Sequence, residues 1–349
     1  SQEGTILNGD SLSRVFYYKG IENISVNDLT VTNGYSSDNG GGIRIYGGDI
    51  EFNNISINYN TTLSNGGGIF GDNANINLNN ADISYNVSSS GGGVSYENSL
   101  YETWFDIENS MIHHNVAIST AGGLYIYNHG DGSNPNYNIK NTSFLHNGSS
   151  HSGSAIEFNN AKLTLESCTF DSNYNHFNNN NTVSGLCMIR SQGLNVINCL
   201  FINNGTNSND RAIYYDHWTG GDDQFSIINS TIVNNYGGIY INDNGSLNLI
   251  NSIIDNDQYN VSGSFTSYNS LYDQSESPPL FADTANGDYH LQDYSLLIGA
   301  GIDSIEIDGI WYYAPDTDIE GNPRPNPEGS NPDIGAYENQ YGEPQHNPL

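Results

Sequence analysis

Four residues close together in the aligned repeats of this chain carry the types that acid/base chemistry needs. Glu157, Arg190 and Asp216 fall at corresponding places of successive segments, and His217 opens the loop HWTGGDDQ, which also holds Trp218. Two carboxylates with an arginine and a histidine are the minimum set for general acid/base work on a glycosidic bond, by hydrolysis or by β-elimination. Against catalysis stands the scarcity of cations: the chain has 8 Lys+Arg against 39 Asp+Glu. A lyase acting on an acidic polysaccharide needs basic groups to neutralise the uronate and take its proton.

A second set of residues suits binding. Arg44, Phe70, Tyr125, Tyr214 and Tyr240, with Tyr46 and Tyr127 two positions further on, recur on the same side of one repeated segment. Aromatic rings spaced along an exposed sheet face, with polar groups between them, form a platform for sugar rings. The insertions Asn98 to Trp104 and Asn128 to Asn136 fall at one corner and would wall a groove beside it.

The elements that must position these residues are set by repetition. An apolar-x-apolar-x-Asn module returns from Ile24, Ile50, Ile76, Phe105, Tyr137, Leu163, Leu194, Phe225 and Leu247, at spacings of 22 to 32 residues. Most copies follow a glycine-rich strand signal such as GGGIRIY from Gly40 or GGGVSY from Gly91. Apolar residues stand two apart, the period of a strand, whereas helical repeats need them three and four apart. The sequence therefore predicts an all-β fold, a right-handed parallel β-helix of roughly ten coils. At about 4.8 Å per coil this is a rod on the order of 50 Å long.

Alternation places Ile43, Ile69, Val94, Leu124, Ile156, Ile213 and Ile239 inside, with Cys187 in the same inward column and Met188 outside. It also stacks Asn54, Asn80, Asn109, Asn141, Asn198, Asn229 and Asn251 as a corner ladder. Cys168 and Cys199 share one corner of adjacent coils, near enough for a disulfide to be considered. Asn86, Asn147, Asn204 and Asn260 head Asn-x-Ser/Thr triplets, which a chain so rich in Asn produces by chance. His113 and His114 in SMIHHN read as solvated corner residues rather than metal ligands.

The repeated GGGI and NxxIxxN elements, over residues 20 to 260, resemble those of bacterial right-handed parallel β-helix repeat proteins, including the polymorphic outer-membrane type. A second resemblance runs from Ser277 to Glu338, through SPPLFADTANGDYHLQDYSLLIGAG and DIEGNPRPNPEGSNPDIGAYE. It is similar to the closing segment of secreted Bacteroidetes β-helix proteins that carry surface anchors. These resemblances imply secretion and surface display.

Residues 1-19 are expected to be an N-terminal cap or lead-in strand, 20-275 the β-helix, and 276-349 a Pro/Asp-rich C-terminal cap and tail. Phe281, Tyr289, Leu291, Ile298, Ile334 and Tyr337 are expected to cover the open end of the last coil. Asp316 and Asp318 in that tail are candidate Ca²⁺ ligands, and no cofactor is otherwise required.

A net charge of −31 excludes nucleic acid as a partner, because phosphate contacts need clustered Lys and Arg. No stretch is apolar for long enough to span a membrane. The expected role is that of a secreted cell-surface protein that binds extracellular polysaccharide or a cell-surface glycan and mediates adhesion. A polysaccharide lyase or glycoside hydrolase is the alternative, and self-association into an extracellular structural assembly is the third reading.

Overall fold

A computed structural model describes residues 4–99, 103–129, 136–176, 184–191, 193–207, 209–217, 225–242, 245–272 and 278–346. Three parallel sheets of 17, 10 and 6 strands wind around one apolar core, and the helical content among the described residues is the short turn Thr284–Asn286. Successive rungs stack in register: Ile50 pairs with Ile76 and Ile76 with Phe105 in the long sheet. In the ten-stranded glycine sheet Ile43 pairs with Ile69 and Ile69 with Val94. Connections between parallel strands of one sheet are right-handed by the twist of the strands, so the fold is the expected right-handed β-helix.

In-register stacking lets like side chains meet. Phe144, Phe170 and Phe201 are buried and stack face to face, with ring centroids 5.0 and 4.2 Å apart. The glycines before each strand of the glycine sheet have two causes. Gly66 holds φ at +73°, and a Cβ on Gly67 would stand 2.3 Å from the carbonyl oxygen of Gly92 on the next coil. The chain reverses at the first glycine, and the backbone of adjacent coils closes over the second.

Polar side chains hold the corners. The expected ladder forms in pieces, with Asn80 donating to Asn54, Asn141 to Asn109 and Asn251 to Asn229, all in left-handed backbone, while Asn109 donates to Asn79, Asn198 to Ser167 and Asn229 to the Asp333 carbonyl of the tail. A deeper ladder runs beside it through Asn60, Asn86, Asn115, Asn147, Asn173, Asn204, Asn235 and Asn256, all buried. Each amide there donates to the next side-chain oxygen at 2.8 to 3.1 Å and also to a main-chain carbonyl, as Asn147 does to Ile112. Asn86, Asn147 and Asn204 are thus ladder residues closed to glycosylation in the fold. A third ladder is of hydroxyls and thiols: Ser110, Thr142, Cys199, Ser230, Ser252 and Ser270 each accept the N–H of the coil before. Cys168 and Cys199 are free thiols in this line, donating to Glu166 and Ile197 carbonyls, and not a disulfide.

The tail lies elsewhere than expected. Tyr289, Leu291, Leu297, Ile298 and Ile334 pack on Leu200, Ile202, Val233 and Ile253, which face outward from the long sheet. The hairpin of Ser304–Ile307 and Ile310–Tyr313 covers Ile228 and Ile250. It is the flank of the last coils that is covered, because those coils carry apolar residues at outward positions where earlier ones carry Ser56, Asn58, Asp82 and Ser84. A buried ion pair locks the tail: Arg324 Nε donates to Glu338 at 2.8 Å, and its Nη1 donates to Asn198 of the β-helix at 3.1 Å.

Candidate functional site

The outer face of the glycine sheet carries two parallel rows. The first is Tyr17, Arg44, Phe70, Ser95, Tyr125, Glu157, Cys187, Tyr214 and Tyr240; the second is Lys19, Tyr46, Asp72, Glu97, Tyr127, Asn159 and Ile189. Beside the first row runs a lip made by the residues before the reversing glycines. Asp38 pairs there with Arg44, Asn65 donates to Glu97 at 3.1 Å, and Ser152 donates to Glu157. Sequence alternation missed this lip, because its residues belong to no strand. The one signal is a polar residue just before a glycine of positive φ, which turns the chain back on itself.

The register departs from expectation at one rung. Glu157 pairs with Cys187, and Phe158 with Met188, so Met188 points into the core and Cys187 stands in the outward row, the reverse of the alternation reading. A bulge between Met188 and Ser191 follows, with Arg190 at φ 51°. Arg190 is exposed at this bulge and lies outside the row of Asn159 and Asp216. The bulge lies after Met188 and displaces Arg190, whereas Cys187 and Met188 are placed by Leu186, which takes the inward position of Ile156 and Ile213, one residue away from the register that alternation assigned.

Glu157 is buried, and burial lifts its carboxyl above the ordinary range, while the Ser152 and Asn159 donors and nearby His151 pull it down. Asp216 accepts a hydrogen bond from Asn242. The Cys187 rung separates the strand of Glu157 from that of Asp216, so the expected acid/base set does not close on one point. His217 ends the strand Arg211–His217 and pairs with Ser191 through the backbone; Trp218 lies outside the described residues. The carboxylates that do sit together are Asp72 and Glu97, on paired positions of neighbouring strands. Burial, then the Glu97 charge, raises Asp72 above the usual carboxylate range.

The aromatics are arranged edge-on. Tyr214 and Tyr240 stack on one another at 5.4 Å and 5°, and Arg211, a residue outside the expected set, lies 4.7 Å from the Tyr240 ring centre. Tyr125 and Tyr127 are 6.4 Å apart at 24°, and Tyr127 meets His129 edge to face at 4.4 Å. Phe70 is fully buried, with the Arg44 guanidinium 5.8 Å from its ring centre. Tyr46 is exposed, with the Lys19 ammonium 5.1 Å from its ring centre. Tyr214 and Tyr240, on adjacent coils, thus turn their ring faces toward each other along the rod and present their edges outward.

In the tail, Asp318 accepts four N–H groups, from Glu320, Asn322, the Asn322 side chain and Glu338. A carboxylate so filled with donors is a turn anchor, and Asp316 beside it is exposed. Among the described residues, clefts of about 500, 370 and 550 Å³ lie on the long sheet and beneath the tail.

No protein-family model matches this chain, and no curated protein matches it. Among solved structures the chain is similar to the crystal structure of pectate lyase Pel9A, with a TM-score of 0.46 and 14% identity, covering 90% of this chain and 87% of that one.

Proposed function

We propose that the outer face of the glycine sheet binds an extended polysaccharide, and that the protein acts outside the cell as a glycan-binding surface protein. The observation that carries this is the regular supply of hydrogen-bonding groups along one straight, lipped face. Tyr46, Asp72, Glu97, Tyr127 and Asn159 recur at the strand spacing, with Arg44, Tyr125, Glu157 and Tyr214 behind them. Ring edges on some rungs and carboxylates on others suit sugar hydroxyls better than the stacking platform that alternation suggested. The acidic composition supports an extracellular setting, and no helix among the described residues is long and apolar enough to cross a membrane. No cofactor enters this reading.

Turnover of the glycan, as a lyase or hydrolase, is the second reading. The raised carboxyls of Glu157 and Asp72 favour it, because an upward shift moves a carboxyl toward the role of general acid. Retention of the intact protein in gels containing neutral or acidic polysaccharides, with and without Ca²⁺, tests both, with product length followed in parallel. Retention weakened by Tyr46→Ala or Tyr127→Ala, with unshortened polymer, is expected. Shortening abolished by Glu157→Gln or Asp72→Asn would establish the enzyme instead, and no retention on any polymer would overturn both readings.

A further inference from the structure

On a different sheet from the glycan face, the outer surface of the long sheet holds a cleft of about 370 Å³ over the first coils, with Trp104 among its walls. Strand alternation sets the floor. Ile24, Ile50 and Ile76 share one inward column, so Ser25, Glu51 and Asn77 after them stand outward in one row, and Asp49 pairs with Asn75 in the row before it. Trp104 ends the insertion that the sequence placed beside the glycine sheet, but its main chain is pinned to the long sheet. Its N–H donates to Asn75 Oδ1 at 2.9 Å, and its carbonyl accepts the Ile76 N–H at 3.2 Å. Asn75 Nδ2 donates in turn to Asp49 at 2.7 Å. One amide thus fixes the ring-bearing residue and a carboxylate relative to each other. Two features of the cleft serve no packing: Trp104 is exposed, and Asn77 Oδ1 is buried with no hydrogen-bond donor among the described residues. Buried acceptors are nearly always paired.

We propose that this cleft binds a neutral sugar, with the Trp104 ring as the stacking wall and Glu51, Asp49 and Asn77 as partners of its hydroxyls. The lining selects the class. An anionic ligand would meet Asp49 and Glu51 with no lysine or arginine among the described lining residues to offset them. An apolar ligand would strip water from those carboxylates and replace it with nothing. A sugar has a face of C–H groups for the indole and a rim of hydroxyls for the floor. An ionised carboxylate accepts from two hydroxyls, and the Asn77 amide both donates and accepts. Asn77 is half-buried, and a turn of its amide about the last side-chain bond, a soft rotation, brings the unpaired oxygen to the cleft.

The volume lies at the small end of the range for ligand sites, roughly 300–1,000 Å³, which suits a short saccharide. Asp49 is already held by Asn75, and Glu51 is exposed, so Glu51 is the carboxylate open to an incoming hydroxyl. A quaternary ammonium ion needs a cage of several rings, and Trp104 is the one ring among the described lining residues. The cleft is separate from the polysaccharide face, and neither reading needs the other.

The chain has 3 Trp, so Trp218→Phe with Trp311→Phe leaves Trp104 as the fluorescent reporter. Titration of that chain with the methyl glycosides of glucose, galactose, mannose and xylose, and with their disaccharides, is expected to change Trp104 emission saturably for at least one sugar. Calorimetry of the unaltered chain is expected to give the same affinity. Trp104→Ala is expected to abolish binding, Trp104→Phe to keep part of it, and Glu51→Gln to weaken it roughly 10-fold. Retention on polysaccharide gels is expected to stay as in the unaltered chain; its loss in Trp104→Ala would count against the glycine face and for this cleft. Circular dichroism of each variant establishes that the fold is retained. Saturable binding of none of these sugars, affinity unchanged in folded Trp104→Ala and Glu51→Gln, or tighter binding of tetramethylammonium than of any sugar would overturn the proposal.

Discussion

The residue that ties the tail to the β-helix is Arg324. Its guanidinium is wholly buried, and its three donor nitrogens reach Glu338, Asn198 and the Gly335 carbonyl. Glu338 in turn accepts the main-chain N–H groups of Asn326 and Asp333. Removing one partner of such a pair leaves a buried charge without compensation. Arg324→Met is therefore expected to cost about 3–5 kcal/mol in urea denaturation, and the added change Glu338→Leu to restore part of it. Cys199 takes the role of the serines above it, its thiol accepting the Cys168 N–H and donating to the Ile197 carbonyl, while the Cys168 thiol donates to the Ile139 and Glu166 carbonyls. What alternation gave at this scale was the shared corner of the two cysteines; that the corner is a hydrogen-bonding line, and not a disulfide position, is visible only in the contacts.

Among the elements, the two asparagine ladders differ in burial and so in consequence. Asn147 is buried, and its side chain serves Asn115, Asn173 and the Ile112 carbonyl together. Its loss strands several buried groups, each worth about 1–3 kcal/mol. Asn80 is exposed and holds one rung of the outer corner. Asn147→Ala is expected to lower the denaturation midpoint several times more than Asn80→Ala, with amide hydrogen exchange showing the loss centred on coils 115 and 173.

The tail is the element whose docking depends on pH. Burial, then the Glu338 charge, holds the Asp333 carboxyl up to about 7, against N–H bonds from Asn339 and Gly299 and the Arg324 charge. The folded tail keeps a proton that the unfolded chain releases near pH 4. Stability from this group therefore falls as pH rises from about 4 to about 7, by up to about 1.4 kcal/mol per unit, and is level above. His290 acts in the same direction. Burial works against its proton, but the Asp288 and Glu320 carboxylates outweigh that and raise its pKa, so its contribution is present at low pH and lost as pH rises through the folded value. Proteolysis of the tail is expected to be faster at pH 8 than at pH 5, and Asp333→Asn to flatten that difference.

For the whole molecule, the tail covers Leu200, Ile202, Val233 and Ile253, an outward apolar strip that is unlike the polar outer face of the earlier coils. A chain cut after Tyr272 is expected to expose this strip and associate. Light scattering across protein concentration checks this, and a shortened chain that stays monomeric would show that the strip needs no cover.

The sequence by itself determined the β-helix, its core columns and the face on which its polar and aromatic residues gather. In-register stacking makes each column a property of the repeat, readable from spacing and alternation alone. Tertiary structure decided the rest. The register that sets Leu186 beside Ile156 and Ile213 exchanged Cys187 and Met188, because in an apolar run such as Leu186 to Ile189 alternation cannot choose between two registers one residue apart. The lip of Asp38, Asn65 and Ser152 exists because a glycine of positive φ folds the chain back, a direction that residue types do not encode. The tail lies on the flank because its apolar residues meet an apolar strip there, a complementarity between segments far apart in the chain.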